Sequence, residues 1–244
     1  FKEVHYFNAR HCPEHQQWLP WHFREAVRAT ERRFRARGED MPDEMVRYLV
    51  EMTADPMFTP KWYRQAFAPA PRGTLPLDTT PEYSTLPDAG VDEVADCLPR
   101  AKFFYLIRDP VARAISQLRM NLARRKALPK APQDYLGHLD DDELSDRGDY
   151  AAYLPRWQMR IPPDRLLVLP YGRIASGPAA LMREIEAFLG LDPFAYSRLD
   201  TVFHRAVEAV EFPEEGRAIL RDRFAAQYAF LAANFDEAFN AALR

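Results

Sequence analysis

The stretch Lys102–Arg125, KFFYLIRDPVARAISQLRMNLARR, leaves this chain the fewest ways to fold. Phe103–Ile107 is a short apolar and aromatic run that reads as a buried parallel strand. It stops abruptly at Arg108-Asp109-Pro110. Asp109 suits a helix N-cap, and Pro110 suits the first helical turn. From Val111 the pattern is helical, with Val111, Ala114, Ile115 and Leu118 on one side. A strand feeding a helix through a tight turn is half of a βαβ unit, and open α/β sheets bind ligands at the carboxyl ends of their strands. Arg108 stands at such an end. Ser116 follows about two helical turns later, on the side of Ala112. A guanidinium fork and a hydroxyl donor converging there would suit a phosphate. On spacing alone the pair reads equally well as an arginine held by Asp109 and a serine facing water.

Around this unit the pattern alternates short strands with long helical stretches, which predicts an α/β fold with a parallel sheet. Leu166–Leu169 is a second buried strand, ending at Pro170-Tyr171. Pro178–Leu189 is an amphipathic helix with Leu181, Ile185, Phe188 and Leu189 inward and Gly190 as its C-cap. Helices are also predicted over Arg24–Arg37, Pro42–Met52, Val91–Leu98, Gly148–Met159, Pro213–Phe224 and Ala225–Phe239, and Lys61–Phe67 is a short amphipathic segment. Short strands are predicted at Val4–Phe7 and Leu75–Asp78. Arg10–Trp21 and the polar, acidic stretch Ala127–Asp149 read as loops, the run Asp140–Glu143 as a solvated one.

Composition bounds the function. The 33 basic and 36 acidic residues give a formal net charge of −3, which argues against a protein that coats nucleic acid or an anionic membrane. Two cysteines, Cys12 and Cys97, are too few for a disulfide scaffold, so a reducing, cytoplasmic compartment is the expectation, with one bridge between them left open. No run of about 18 apolar residues occurs. His5, His11, His15 and His22 cluster near Trp18 and Trp21. Their spacing fits no compact zinc pattern, so a polar-aromatic wall of a substrate cleft is preferred to metal ligation.

No GxxxxGK[ST], GxGxxG, GxSxG, HExxH or CxxC occurs, which removes support from most hydrolase, dehydrogenase and kinase readings. What does occur is an ordered set of segments. Tyr105-Leu-Ile-Arg-Asp-Pro-Val-Ala-Arg-Ala-Ile-Ser116 resembles the 3′-phosphate-binding segment of sulfotransferases that use 3′-phosphoadenosine 5′-phosphosulfate (PAPS). Lys2-Glu3-Val4-His5-Tyr6-Phe7 is similar to the family's KEVHFF segment. Leu77-Asp78-Thr79-Thr80-Pro81-Glu82-Tyr83 resembles its E-x-T-P-x-Y segment. Gly148-Asp-Tyr-Ala-Ala-Tyr-Leu-Pro-Arg-Trp157 resembles its G-x-Y-x-x-x-L-x-x-W helix. The likeness is greatest to the bacterial and heparan-sulfate-type branch and runs over nearly the whole chain.

The resemblance implies one sulfotransferase-like domain over residues 1–244, with a P-loop-NTPase-like three-layer sandwich: a central parallel sheet flanked by helices. It implies transfer of a sulfuryl group from PAPS to a hydroxyl or amine of a small-molecule or carbohydrate acceptor, with no metal. Arg108 and Ser116 would hold the donor's 3′-phosphate. Glu3 matches the acceptor-activating carboxylate, and His5 its neighbour. Phe203 and Arg205 fall where a further nucleotide contact is expected. Two departures qualify this. Thr79 stands where heparan-type enzymes carry a lysine, which weakens the case for a heparan-like acceptor. The family's first strand and 5′-phosphosulfate loop match nothing here and are expected to precede Phe1. The alternatives are a nucleotide-dependent kinase on the same general fold and a non-catalytic nucleotide-binding relative.

Overall fold

The computed structural model describes residues 3–201 and 210–244. The chain forms two compact units, Phe1–Cys97 and Leu98–Arg244.

The first unit is helical: α1 (Tyr6–His11), α2 (Leu19–Ala36), α3 (Asp43–Thr53), α4 (Pro60–Gln65) and α5 (Asp88–Cys97), with 3-10 turns at Pro13–Gln17 and Pro81–Thr85. Three expectations change here. Val4–Phe7 is not a strand. His5 takes a left-handed conformation (φ 57°) and α1 starts at the next residue. The amides that a strand would offer to a neighbour go instead to side chains of a loop described below. Arg10–Trp21 is not a loop, because Pro13 and Pro20 sit in first turns, where a missing N–H costs no helical hydrogen bond. Leu75–Asp78 is irregular, with Leu75 and Leu77 exposed. The core is aromatic. Tyr6 stacks on Tyr63 at 4.6 Å, Phe23 meets Trp62 edge-on at 5.6 Å, and the buried Trp62 indole donates to the Met52 carbonyl (3.1 Å).

The second unit holds the predicted strand–turn–helix. Its described strands, β1 (Phe103–Ile107) and β2 (Leu166–Pro170), pair in parallel with Phe103 opposite Leu166 and Ile107 opposite Pro170. Between them run α6 (Pro110–Arg124) and α7 (Tyr150–Arg160). After β2 come α8 (Arg173–Ser176), α9 (Pro178–Leu189), α10 (Glu214–Arg223), α11 (Ala225–Asn234) and α12 (Glu237–Ala241). The apolar side of α6 (Val111, Ala114, Ile115, Leu118, Leu122) packs with Phe212, Leu220 and Phe224. Tyr135, Leu139 and Leu144 complete that core. The stretch read as a polar loop thus contributes three buried side chains, carried on 3-10 turns too short to show a helical period. In the acidic run, Asp141 caps its own turn and Glu143 accepts from Asn121 (2.7 Å).

Asp109 is the hinge of this unit. It is 5% exposed and its carboxylate accepts from the Ala112 amide (2.8 Å), the Tyr228 hydroxyl (3.1 Å) and Arg244 Nε (3.3 Å), while its own N–H donates to the Leu243 carbonyl (2.9 Å). Burial, with the Asp109 carboxylate beside it, pushes the Tyr228 phenol up to about 12. Asp109→Ala removes an N-cap and orphans the Tyr228 donor, so the urea unfolding midpoint is expected to fall by an amount equivalent to about 2 kcal/mol. Asp109→Asn keeps an acceptor for Ala112 and should fall less. A midpoint unmoved by the alanine change would remove Asp109 from the hinge.

Candidate active site

In the first unit the two predicted residues Glu3 and His5 come together, with Glu3 Oε2 3.5 Å from His5 Nε2. The turn that carries them is held from below by Asp78-Thr79-Thr80-Pro81-Glu82-Tyr83. The Thr80 hydroxyl accepts from the amides of Val4 (2.9 Å) and His5 (3.2 Å) and donates to Asp78 Oδ1 (2.6 Å). The Tyr83 hydroxyl accepts from the Tyr6 amide (3.0 Å) and donates to Asp78 Oδ2 (2.9 Å). Burial, followed by the Asp78 charge, pushes both Tyr83 and Tyr63 above the ordinary phenol range, so both stay protonated as donors. Three consecutive amides, of Val4, His5 and Tyr6, are therefore fixed by side chains of one distant loop. This is why His5 can sit in a backbone region that histidine seldom occupies. Thr80 stands at the N-cap of the 3-10 turn Pro81–Thr85. Its hydroxyl caps nothing and holds the site instead.

Thr80→Val leaves two amides without their acceptor beneath side chains that are 0–2% exposed (His5 and Val4). Stability should fall by about 2–4 kcal/mol, read by denaturant titration, because each orphaned buried donor costs about 1–3 kcal/mol. Thr80→Ser keeps the oxygen and should restore most of it. Equal losses for valine and serine would assign the effect to packing and remove the hydroxyl from its holding role.

His5 is fully buried and its ring has a fixed orientation. Nδ1 lies 3.3 Å from Asn8 Oδ1 and 3.6 Å from Glu82 Oε2, and Asn8 Nδ2 lies 3.1 Å from His15 Nδ1. The rings of Trp18 (5.0 Å) and His22 (4.5 Å) pack edge-on against it. In the tautomer that donates Nδ1–H to Asn8, the Nε2 lone pair turns toward Glu3, and Nε2 has no hydrogen-bond partner among the described residues. A carboxylate and a lone pair facing each other define a place that a proton stabilises. The sequence reading placed His22 in a cleft wall without assigning it a site role. Its ring donates to the Glu3 carbonyl, and burial, then the neighbouring His5, lowers its pKa from the ordinary imidazole value. Glu3, His5 and His22 also bring ligand-capable atoms within 4.8 Å of one another, as do Cys12, Glu14 and His15. Cys12 and Cys97 are not joined in a disulfide.

In the second unit, Arg108 closes β1. The Tyr150 hydroxyl accepts from its amide (3.2 Å) and donates to its carbonyl (3.0 Å), so α7 fixes the backbone at the strand end. Tyr150, Leu154 and Trp157 of α7 are buried, and Gly148 before it leaves room that a Cβ would fill at 2.8 Å from Arg113 Nε. The Arg108 guanidinium lies over the Tyr171 ring, 4.7 Å from its centroid. It does not take up Asp109, whose carboxylate is occupied by Ala112, Tyr228 and Arg244. That disposes of the reading in which Arg108 merely pairs with its neighbour. Ser116 is exposed on α6, roughly 10 Å along the helix from the cap. Phe203 and Arg205 lie outside the described residues.

The family model described as "Sulfotransferase family" matches residues 1–195. Heparan sulfate glucosamine 3-O-sulfotransferase 3B1 of Mus musculus is 29% identical over 136 residues, covering 53% of this chain and 35% of that protein. Heparan sulfate glucosamine 3-O-sulfotransferase 6 of Homo sapiens is 30% identical over 135 residues, covering 53% of this chain and 39% of that protein. The matched region thus spans little more than a third of these relatives. The crystal structure of a sulfotransferase from Alicyclobacillus acidocaldarius superposes with a TM-score of 0.59 at 21% identity, over 77% of this chain and 75% of that one.

Proposed function

The chain belongs to the sulfotransferase family, and on that premise we propose that it transfers a sulfuryl group from PAPS to a hydroxyl or amine of a small-molecule or carbohydrate acceptor. The observation that carries the reading is the Glu3 carboxylate held against the partnerless Nε2 of a buried, fixed His5. Such a pair accepts a proton from a nucleophile without needing to reorganise.

Bound PAPS would supply the activated sulfuryl group and a nucleotide leaving group. The protein's own residues do the rest. Glu3 takes the acceptor proton at its carboxylate as the acceptor heteroatom bonds to sulfur. His5 orients that carboxylate and shares the proton through Nε2. His22 and Thr80 hold the Glu3–His5 backbone still. Arg108 and Ser116 would hold the 3′-phosphate. The residues fit that role, because the guanidinium has no carboxylate partner among the described residues, and Ser116 presents an exposed hydroxyl. Phe203 and Arg205 enter this proposal on the resemblance alone.

Further parts of the reading are inferences of the same kind. A three-layer P-loop-like sandwich is supported by the structural likeness to a sulfotransferase. A single domain over 1–244 is supported by a family match that runs across residue 97. A cytoplasmic setting accords with two cysteines that form no disulfide, and a bacterial one with the likeness to a bacterial sulfotransferase. No described helix is long and apolar enough to cross a membrane. The relatives' names suggest a carbohydrate acceptor. The test is direct: with donor labelled in its sulfuryl group, the label should appear on an acceptor and 3′-phosphoadenosine 5′-phosphate should accumulate in equal amount. Donor consumed at the rate of the protein-free control, across an acceptor panel, would overturn the reading.

A further inference from the structure

The first unit contains a cavity of about 770 Å³ that begins at Glu3 and His22 and runs along one side of α2. His22, Ala26, Ala29 and Arg33 succeed each other at helical spacing, so they line one side of the helix. The two alanines leave the space open. Met45 and Leu49, from α3, with Phe67 beyond α4, form part of a largely apolar remainder.

The charges on this wall are segregated. Among the described residues Glu3 is its only acidic one and stands at one end. Arg33 and Arg37 stand toward the other. Arg37 is engaged by Glu39 (2.8 Å) and lies over Phe34, whereas Arg33 is exposed and has no carboxylate partner among the described residues. Eleven residues of helix separate His22 from Arg33, roughly 16 Å along the axis. A polyanionic sugar would press charged and hydroxyl groups against Met45, Leu49 and Phe67, which cannot pair them, while the Thr30 and Tyr48 hydroxyls on the same wall already donate to the Ala26 and Ala66 carbonyls. A cavity of this size and lining suits a mostly apolar ligand fixed by a few polar groups.

Resting on the sulfotransferase reading, we propose that the acceptor is an amphiphilic alcohol, with its reacting hydroxyl at Glu3, an apolar body along Ala26 and Ala29, and an anionic group at Arg33. The distinguishing chemistry is an anion separated from the hydroxyl by an unbranched or ringed hydrocarbon, not a repeating sugar.

The probe is 12-hydroxydodecanoate, titrated calorimetrically into the full chain below its aggregation concentration and with no donor present. Saturable binding with one site is expected. Ala26→Trp fills the cavity and should abolish it. Arg33→Ala should weaken it about fivefold, as befits an exposed ion pair. The neutral 1,12-dodecanediol should bind wild type and Arg33→Ala alike. Circular dichroism checks that α2 is intact in each variant. No saturable binding, binding that survives Ala26→Trp, or an equal effect of Arg33→Ala on acid and diol would overturn the proposal. The two readings fail separately. Sulfuryl transfer to a carbohydrate without binding of the amphiphile overturns this one and leaves the activity. Amphiphile bound as expected, with no transfer from any donor concentration, leaves the pocket and overturns the activity.

Discussion

Glu3→Gln is expected to lower kcat for sulfuryl transfer about 10²–10⁴-fold, the range over which a positioned general base contributes. The change is nearly isosteric, and the backbone of residue 3 keeps its contact with His22. What is lost is the basic oxygen that faces His5 Nε2 at 3.5 Å. With an amide there, the acceptor proton has only the imidazole to go to, and an amide N–H turned toward Nε2 would occupy even that lone pair. Binding of 3′-phosphoadenosine 5′-phosphate, measured by calorimetry, should be unchanged, because Arg108 and Ser116, proposed to hold its 3′-phosphate, are unaltered. His5→Gln should also lower kcat, by less, since the carboxylate remains. If Glu3→Gln retained full kcat, Glu3 would not be the base, and the proposal for this end of the site would fall. If it lost activity only in proportion to lost thermal stability, the residue would be structural.

How legible these features were depended on how local their causes are. The Phe103–Ile107 strand, the Asp109 cap and the α6 helix were readable because each follows from side chains within a few positions of one another. The same is true of Pro178–Leu189 and its left-handed Gly190. The Glu3–His5 turn was misread as strand because its conformation is imposed from 75 residues away by Thr80 and Tyr83. A run such as Val4–Phe7 carries no trace of which hydroxyls will meet its amides. The signal was nonetheless present in the two segments that the resemblance singled out. Lys2–Phe7 and Leu77–Tyr83 carry separate likenesses, and Thr80 and Tyr83 of the second hold the Val4, His5 and Tyr6 amides of the first. The buried Tyr135, Leu139 and Leu144 were hidden for another reason. They ride on single turns among acids and prolines, so no period of two or 3.6 marks them. His22 was visible as a histidine near aromatics, but nothing local could have told that its ring reaches the Glu3 carbonyl.

Arg108→Ala should weaken binding of 3′-phosphoadenosine 5′-phosphate about 30-fold, close to 2 kcal/mol, which is typical for removing hydrogen bonds to a charged group. The fold should survive. Tyr150 holds this residue through its amide and carbonyl alone, and both are present in alanine. Asp109 is satisfied by Ala112, Tyr228 and Arg244, so no buried charge is stranded when the guanidinium goes. The loss should therefore appear in affinity with little change in the unfolding midpoint, the opposite of the result expected for Asp109→Ala. Specificity sharpens the test. Adenosine 5′-phosphate lacks the 3′-phosphate and should bind wild type and variant alike. Arg108→Lys should recover only part of the affinity, since an ammonium restores the charge but not the two-pronged geometry, and it stacks less well on Tyr171. Equal weakening of both nucleotides would place Arg108 on some other part of the ligand. No weakening of either would return it to the role of a strand-end arginine resting on a tyrosine, and the phosphate site would have to be sought away from the turn on which this unit is built.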